Sequence, residues 1–136
     1  MNMKDEQAQA GVPVTILRLD GDLDGSNYRQ LIERVKALHA GGAQRLLLDL
    51  AGVAYMSSAG LVALHSATLL FQNQPLPDAE YGWRSIRAVG DAGQAGPQPY
   101  VKLLKPQPRV SSVLEQSGLR PFFAMFEDEA AALASF

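Results

Sequence analysis

The sequence predicts an α/β fold, a mixed and mostly parallel sheet of four to five strands covered by four helices. Two observations lead to it. Short apolar runs, rich in leucine or β-branched residues, alternate along the chain with segments whose apolar residues recur at helical spacing. The run Leu46 to Leu50 is apolar at nearly every position and is bounded by turn signals, as expected of a strand buried on both faces in a parallel sheet. A chain of 136 residues fits a single domain, 1–136.

Taken in order, Val12 to Leu19 is β-rich and is predicted to be a strand, preceded by a weak edge strand within Met3 to Ala8. Turn and capping residues follow in Gly21 to Asn27, and Asp24 and Asn27 are expected to cap the helix that comes next. In that helix Tyr28, Leu31, Ile32, Val35 and Leu38 share one face, and Gly41-Gly42 ends it. His39, in its last turn, is placed to meet the final carbonyls. With Leu46 to Leu50 these elements make a βαβ unit. Asp49, at the end of this strand, is expected to bond turn amides.

The turn AGVAYMSSAGL then starts a second amphipathic helix, from about Ser58 to Gln72, on which His65 is expected to be partly buried or at the surface. The segment from Asn73 to Pro99 is rich in Pro and Gly and far longer than an ordinary helix-to-strand connection. It reads as a surface loop, or as a contact arm in which Tyr81, Trp83, Ile86 and Val89 supply an apolar patch. A strand resumes at Tyr100 to Leu104, and a short helix around Val110, Val113 and Leu114 stops at Gly118. Pro121 to Phe126 is predicted to be the last strand, and Glu127-Asp128-Glu129 puts acid at the start of a terminal helix, where the macrodipole favours it.

Composition removes several function classes. The chain has no cysteine, and His39 and His65 lie far apart, so neither a thiolate nor a histidine metal site is expected, and no cofactor is implied. A net charge of −2 without a Lys/Arg cluster argues against a nucleic-acid footprint. The opening MNMKDEQAQAG lacks the apolar core of a signal peptide, and no run approaches the roughly 20 apolar residues that span a bilayer. A cytoplasmic protein without membrane insertion is expected.

The Ser57-Ser58-Ala59-Gly60 step carries the functional question, because a serine at a helix N-terminus can cap it, act as a nucleophile or carry a phosphate. The nucleophile reading fails on pattern. Met56 stands where the G-x-S-x-G elbow needs glycine, and no histidine follows late in the chain after an acid. No phosphate-binding G-x-x-x-x-G-K-[ST] loop occurs either, and the chain is not expected to be an enzyme. Ser58 as the cap is chemically sufficient by itself, while Gly60 and its small neighbours Ser57 and Ala59 would let a partner backbone approach.

GDLDGSN at Gly21 to Asn27, the strand LLLDL, the turn AGVAYMSSAGL and the closing VSSVLEQSGLRPFFAMFEDEAAAL together resemble the STAS domain, found in bacterial anti-sigma factor antagonists and at the cytoplasmic end of sulfate transporters. The resemblance spans the chain apart from the Asn73 to Pro99 segment. It implies a switch in which a kinase that is also the anti-sigma factor phosphorylates Ser58, with Ser57 as the alternative acceptor. The unmodified domain would bind that anti-sigma factor and release sigma, and a phosphatase would reset it. Asp22, Asp24, Ser26, Asn27, Ser57, Ala59 and Gly60 would lie on the partner-binding face. Two features depart from the family pattern: Ser57 stands where Asp is common, and the insertion at about 73–99 is atypical. An accessory STAS subunit bound constitutively in a transporter ATPase or signalling assembly is the alternative.

Overall fold

The structure is a computed structural model that describes residues 1–73 and 97–136. The expected contact arm of Tyr81, Trp83, Ile86 and Val89 lies outside the described residues. Among the described residues five strands form one sheet in chain order: β1 (Asn2–Gln9), β2 (Pro13–Asp20), β3 (Leu46–Gly52), β4 (Val101–Leu104) and β5 (Met125–Phe126). β1 runs antiparallel to β2 through a full eight-residue register from Asn2 opposite Asp20 to Gln9 opposite Pro13, and the other pairs are parallel. The edge strand is thus longer than the sequence pattern implies. Its exposed Lys4 and Asp5 protect a free edge from pairing with other chains.

Helices α1 (Tyr28–Ala40), α2 (Ser58–Phe71) and α3 (Pro108–Ser117) connect successive parallel strands, and α4 (Glu129–Ala134) ends the chain. Right-handed crossovers between neighbours taken in order put α1, α2 and α3 on the same face of the sheet. The side-chain period of two then divides the strands between two cores. Leu17, Leu19, Leu46, Leu48, Leu50, Val101 and Leu103 pack with Leu31 and Val35 of α1, Leu61 and Leu64 of α2, and Val110 and Leu114 of α3. Val14, Ile16, Leu47 and Leu104 turn to the other face and pack with Ala132 of α4. The four leucines of β3 therefore reflect burial on both sides.

Element ends follow local chemistry. Gly42, at φ +108°, lets the chain turn sharply after α1, and the amide of Ala43 donates to the Leu38 carbonyl. Gly118 is left-handed at the end of α3, where the Leu119 amide donates to Leu114. The expected strand from Pro121 to Phe126 is corrected to a 3₁₀ turn at Arg120–Phe122 followed by two strand residues. Pro121 has no amide to give a ladder, and the Phe122 and Phe123 amides bond back to Leu119 and Arg120. Asp128 caps α4, its carboxylate accepting from the Ala131 amide, and Glu129 puts acid in the first turn as expected.

Arg18 of β2 joins the two ends of the chain. One guanidinium nitrogen donates to Asp49 at 2.8 Å and to Glu129 at 2.7 Å, and the other to Glu6 at 3.1 Å. These carboxylates raise the Arg18 pKa, and the Arg18 hydrogen bond in turn lowers that of Glu6. Asp49 also accepts from the Ala51 amide, but β3 runs on to Gly52, so the expected place at the strand's end is corrected to an interior one and the amide it meets belongs to the strand. His39 lies in the last turn of α1 as expected and packs its ring 5.2 Å from that of Phe71, whereas His65 is fully buried rather than partly buried or at the surface, which lowers its pKa.

Candidate functional site

Two loops meet beyond the carboxyl ends of the parallel strands. One follows β2 and runs from Gly21 to Asn27; the other follows β3 and leads through Met56 into α2. They are joined as a short parallel ladder in which the Leu23 amide donates to the Tyr55 carbonyl at 3.0 Å and the Ser57 amide to Leu23 at 2.9 Å. Leu23 and Met56, the facing residues, are buried. Leu23, the lone apolar residue inside GDLDGSN, is the sequence signal for this anchor. The same ladder leaves Tyr55 exposed at the turn.

The first loop is held by its own side chains. The Asn27 side-chain oxygen accepts from the Asp24 amide at 2.9 Å, and its nitrogen donates to the Asp22 carbonyl at 2.7 Å. Asp24 accepts from both the amide and the hydroxyl of Ser26, at 2.9 and 2.5 Å, which lowers its pKa. The expectation that Asp24 and Asn27 cap α1 with their side chains is therefore corrected. Asn27 stands at the cap position, but its amide group is turned to the loop, and the Tyr28 amide bonds to the Asp24 carbonyl instead. Asp22 and Ser26 are left exposed, while Asp24 and Asn27 are half-buried.

At the second loop the two serines divide the roles that the sequence left to one. Ser57 is extended, at φ −88° and ψ 177°, and its hydroxyl accepts from the Ala59 amide at 3.2 Å. It is the cap of α2. Ser58, expected to fill that position, is the first helical residue and is exposed. Extended backbone at the cap and helical backbone after it make only one of two adjacent serines the capping residue. The first-turn amides are also less free than expected, since the Gly60 amide bonds to the Ser57 carbonyl at 3.0 Å.

Gly60 changes its meaning. It is buried, so the expected approach of a partner backbone there is not met. A β-carbon on Gly60 would lie 2.4 Å from Met56 Cγ and 3.1 Å from Leu23 Cγ. The glycine admits the two residues that lock the loops together. Ala59 and Ser57 are half-buried beside it. The ladder thus brings together Asp22, Asp24, Ser26, Asn27, Ser57, Ser58 and Ala59 at one end of the sheet, with Gly60 beneath them.

A family model described as "Mlab, STAS domain" matches residues 7–74, half of the chain and the part that includes both loops. The chain belongs to the STAS domain family. No curated protein matches it. Among solved structures, this STAS domain is similar to an anti-sigma factor antagonist from Mycobacterium paratuberculosis, with a TM-score of 0.68 and 16% identity over 98% of this chain and 92% of that one. It is also similar to the anti-sigma factor antagonist SpoIIAA in its unphosphorylated form, with a TM-score of 0.57 and 16% identity over 98% of this chain and 94% of that one. Against the phosphorylated form of the Bacillus cell fate determinant SpoIIAA the TM-score is 0.58 and the identity 20%, over 97% and 96% of the two chains. At such identities the likeness is one of fold. In this STAS domain no described helix is long and apolar enough to cross a membrane.

Proposed function

We propose that this STAS domain is a cytoplasmic anti-sigma factor antagonist, a binding module without catalytic activity of its own, controlled by phosphorylation of Ser58. The observation that carries the reading is the division of labour between the serines. Ser57 is engaged in capping, whereas Ser58 is exposed on the surface formed by the joined loops. Both forms of SpoIIAA, phosphorylated and unphosphorylated, have this fold, which supports a switch of this kind.

The physics of the switch is electrostatic. A phosphoserine adds about −1.5 to −2 charges at neutral pH. It would stand on a surface to which the adjoining loop already contributes Asp22 and Asp24. A partner that packs closely there would have to desolvate the new charge or meet it with cations, and an interface built for the bare hydroxyl provides neither. The partner in this reading is an anti-sigma factor that is also a serine kinase, with a phosphatase returning the domain to its binding form.

The test is affinity capture from the native cytoplasm with wild type, Ser58→Ala and Ser58→Asp, with the partner identified by mass spectrometry. Wild type and Ser58→Ala should retain a kinase-type anti-sigma factor that Ser58→Asp loses. The captured kinase with ATP should add one phosphate, mapped to Ser58. Phosphate on Ser57, or binding indifferent to Ser58→Asp, would overturn the switch, and a transporter ATPase in place of the kinase would assign the constitutive accessory role.

A further inference from the structure

The opposite end of the sheet carries a cavity of about 500 Å³ that the proposed switch does not use. It opens at the amino ends of β3 and β4 and is lined by His39 and Phe71 from the helical side, Arg45 and Tyr100 from the connections into the strands, and Lys102 and Phe136. The length of β3 puts it about 20 Å from the turn that holds Ser58. We infer that this cavity binds a small organic carboxylate, with the Lys102 ammonium meeting the acid group and the aromatic rings its apolar body.

Lys102 carries the argument. It lies in β4 with its side chain on the second face of the sheet and is 8% exposed, a burial rare for lysine without a carboxylate partner. Its ammonium donates to the Ser135 carbonyl at 2.8 Å and to the Ser135 hydroxyl at 2.9 Å, and no salt bridge to it occurs among the described residues. Among the described residues, two neutral acceptors leave the third N–H and the net charge uncompensated. The remaining contacts are aromatic faces, Phe136 at 4.6 Å and Phe126 at 5.9 Å. Burial lowers the Lys102 pKa, the response of a cation that lacks a counter-charge.

The lining is complementary to an anion with an apolar body. Among the described residues it contains Arg45 and His39 besides Lys102 and no acidic side chain. Its volume falls within the usual range for small-molecule sites. A single ammonium with one N–H unused suits a monoanionic carboxylate better than a phosphate, which needs more donors to replace its hydration. Phe71, Tyr100 and Phe136 provide the apolar surface that gives such a ligand an advantage over an inorganic ion.

The test is isothermal titration of the full chain with benzoate, hexanoate and inorganic phosphate as probes. One of the two carboxylates should bind saturably with unit stoichiometry, and Lys102→Met should weaken it about 10- to 100-fold. Amide shifts in the wild-type NMR spectrum should concentrate at Arg45, Tyr100 and Lys102 and spare Leu23 and Ser57 to Gly60, a readout that holds even if Lys102→Met folds poorly. Absence of saturable carboxylate binding, equal affinity in Lys102→Met, phosphate binding as tight as benzoate, or shifts centred elsewhere would each overturn the assignment. Because the two sites lie at opposite ends, none of these outcomes depends on the Ser58 switch.

Discussion

The two ends of the parallel strands are closed in different ways. At the carboxyl end, backbone amides and carbonyls of two loops pair directly, and the side chains beneath them, Leu23 and Met56, are apolar and buried. At the amino end the strands begin beside a cavity, and a buried ammonium stands where a hydrocarbon would pack. The first arrangement fixes a surface and exposes it; the second leaves room inside. A firmly held outer face suits recognition of a macromolecule, whereas a largely buried cation beside an open cavity suits a small ligand.

Substitutions at both ends sharpen this contrast. Leu23→Ala removes a fully buried side chain from the loop junction and should cost about 2–5 kcal/mol in denaturant unfolding. A loss below 1 kcal/mol, on the order of a surface change, would mean that the junction is not what holds the loops. Gly60→Ala drives a methyl group toward Met56 and Leu23 and should cost about 1–3 kcal/mol, with loss of partner binding following from displaced loops. Unchanged stability would show that Met56 yields freely.

The adjacent serines give a finer comparison. Ser57→Ala deletes the cap of α2 and should lower stability by about 1 kcal/mol, while Ser58→Ala should stay within about 0.5 kcal/mol of wild type. The reverse ranking would reassign the cap to Ser58.

At the amino end, Lys102→Met replaces a poorly compensated buried cation with an apolar chain of similar length, and stability should change by no more than about 1 kcal/mol at neutral pH. A pH series separates charge from packing. The Lys102 pKa is lowered in the fold, so between its native and unfolded values the unfolded chain holds the extra proton, and stability rises with pH through that alkaline window below the ordinary lysine pKa. Lys102→Met should lack that rise. A rise of the same size in the variant would assign it to other groups.

Much of the fold was legible because it rests on short-range patterns. The spacing of Leu31 and Val35, the Gly41-Gly42 stop and the apolar Leu46 to Leu50 run each report their own surroundings. Burial of β3 on both faces is written in its leucines. What escaped depends on residues far apart in the chain. Arg18 finds Glu129 across 111 positions, and no local pattern announces the pair. Lys102 is covered by Ser135, 33 positions on, which no pattern within its strand signals. At the candidate site the loops and their order were legible, but the division between Ser57 and Ser58 turns on a single backbone step, which is finer than sequence patterns resolve at element ends. At Gly60 the sequence records the missing side chain and not that Met56 and Leu23 use the space.

The agreement between chain order and sheet order bears on how the molecule is made. Among the described residues each strand from β2 onward pairs with the one formed before it, and none is threaded between two earlier strands. A nascent chain can therefore extend the sheet at its open edge as synthesis proceeds, exposing one unfinished edge at a time. Arg18, present from the second strand, meets Glu129 only after the last strand is laid down. In pulse-labelled hydrogen exchange during refolding, the amides of β2 and β3 should gain protection before those of β5 and α4; simultaneous protection would indicate closure in one step.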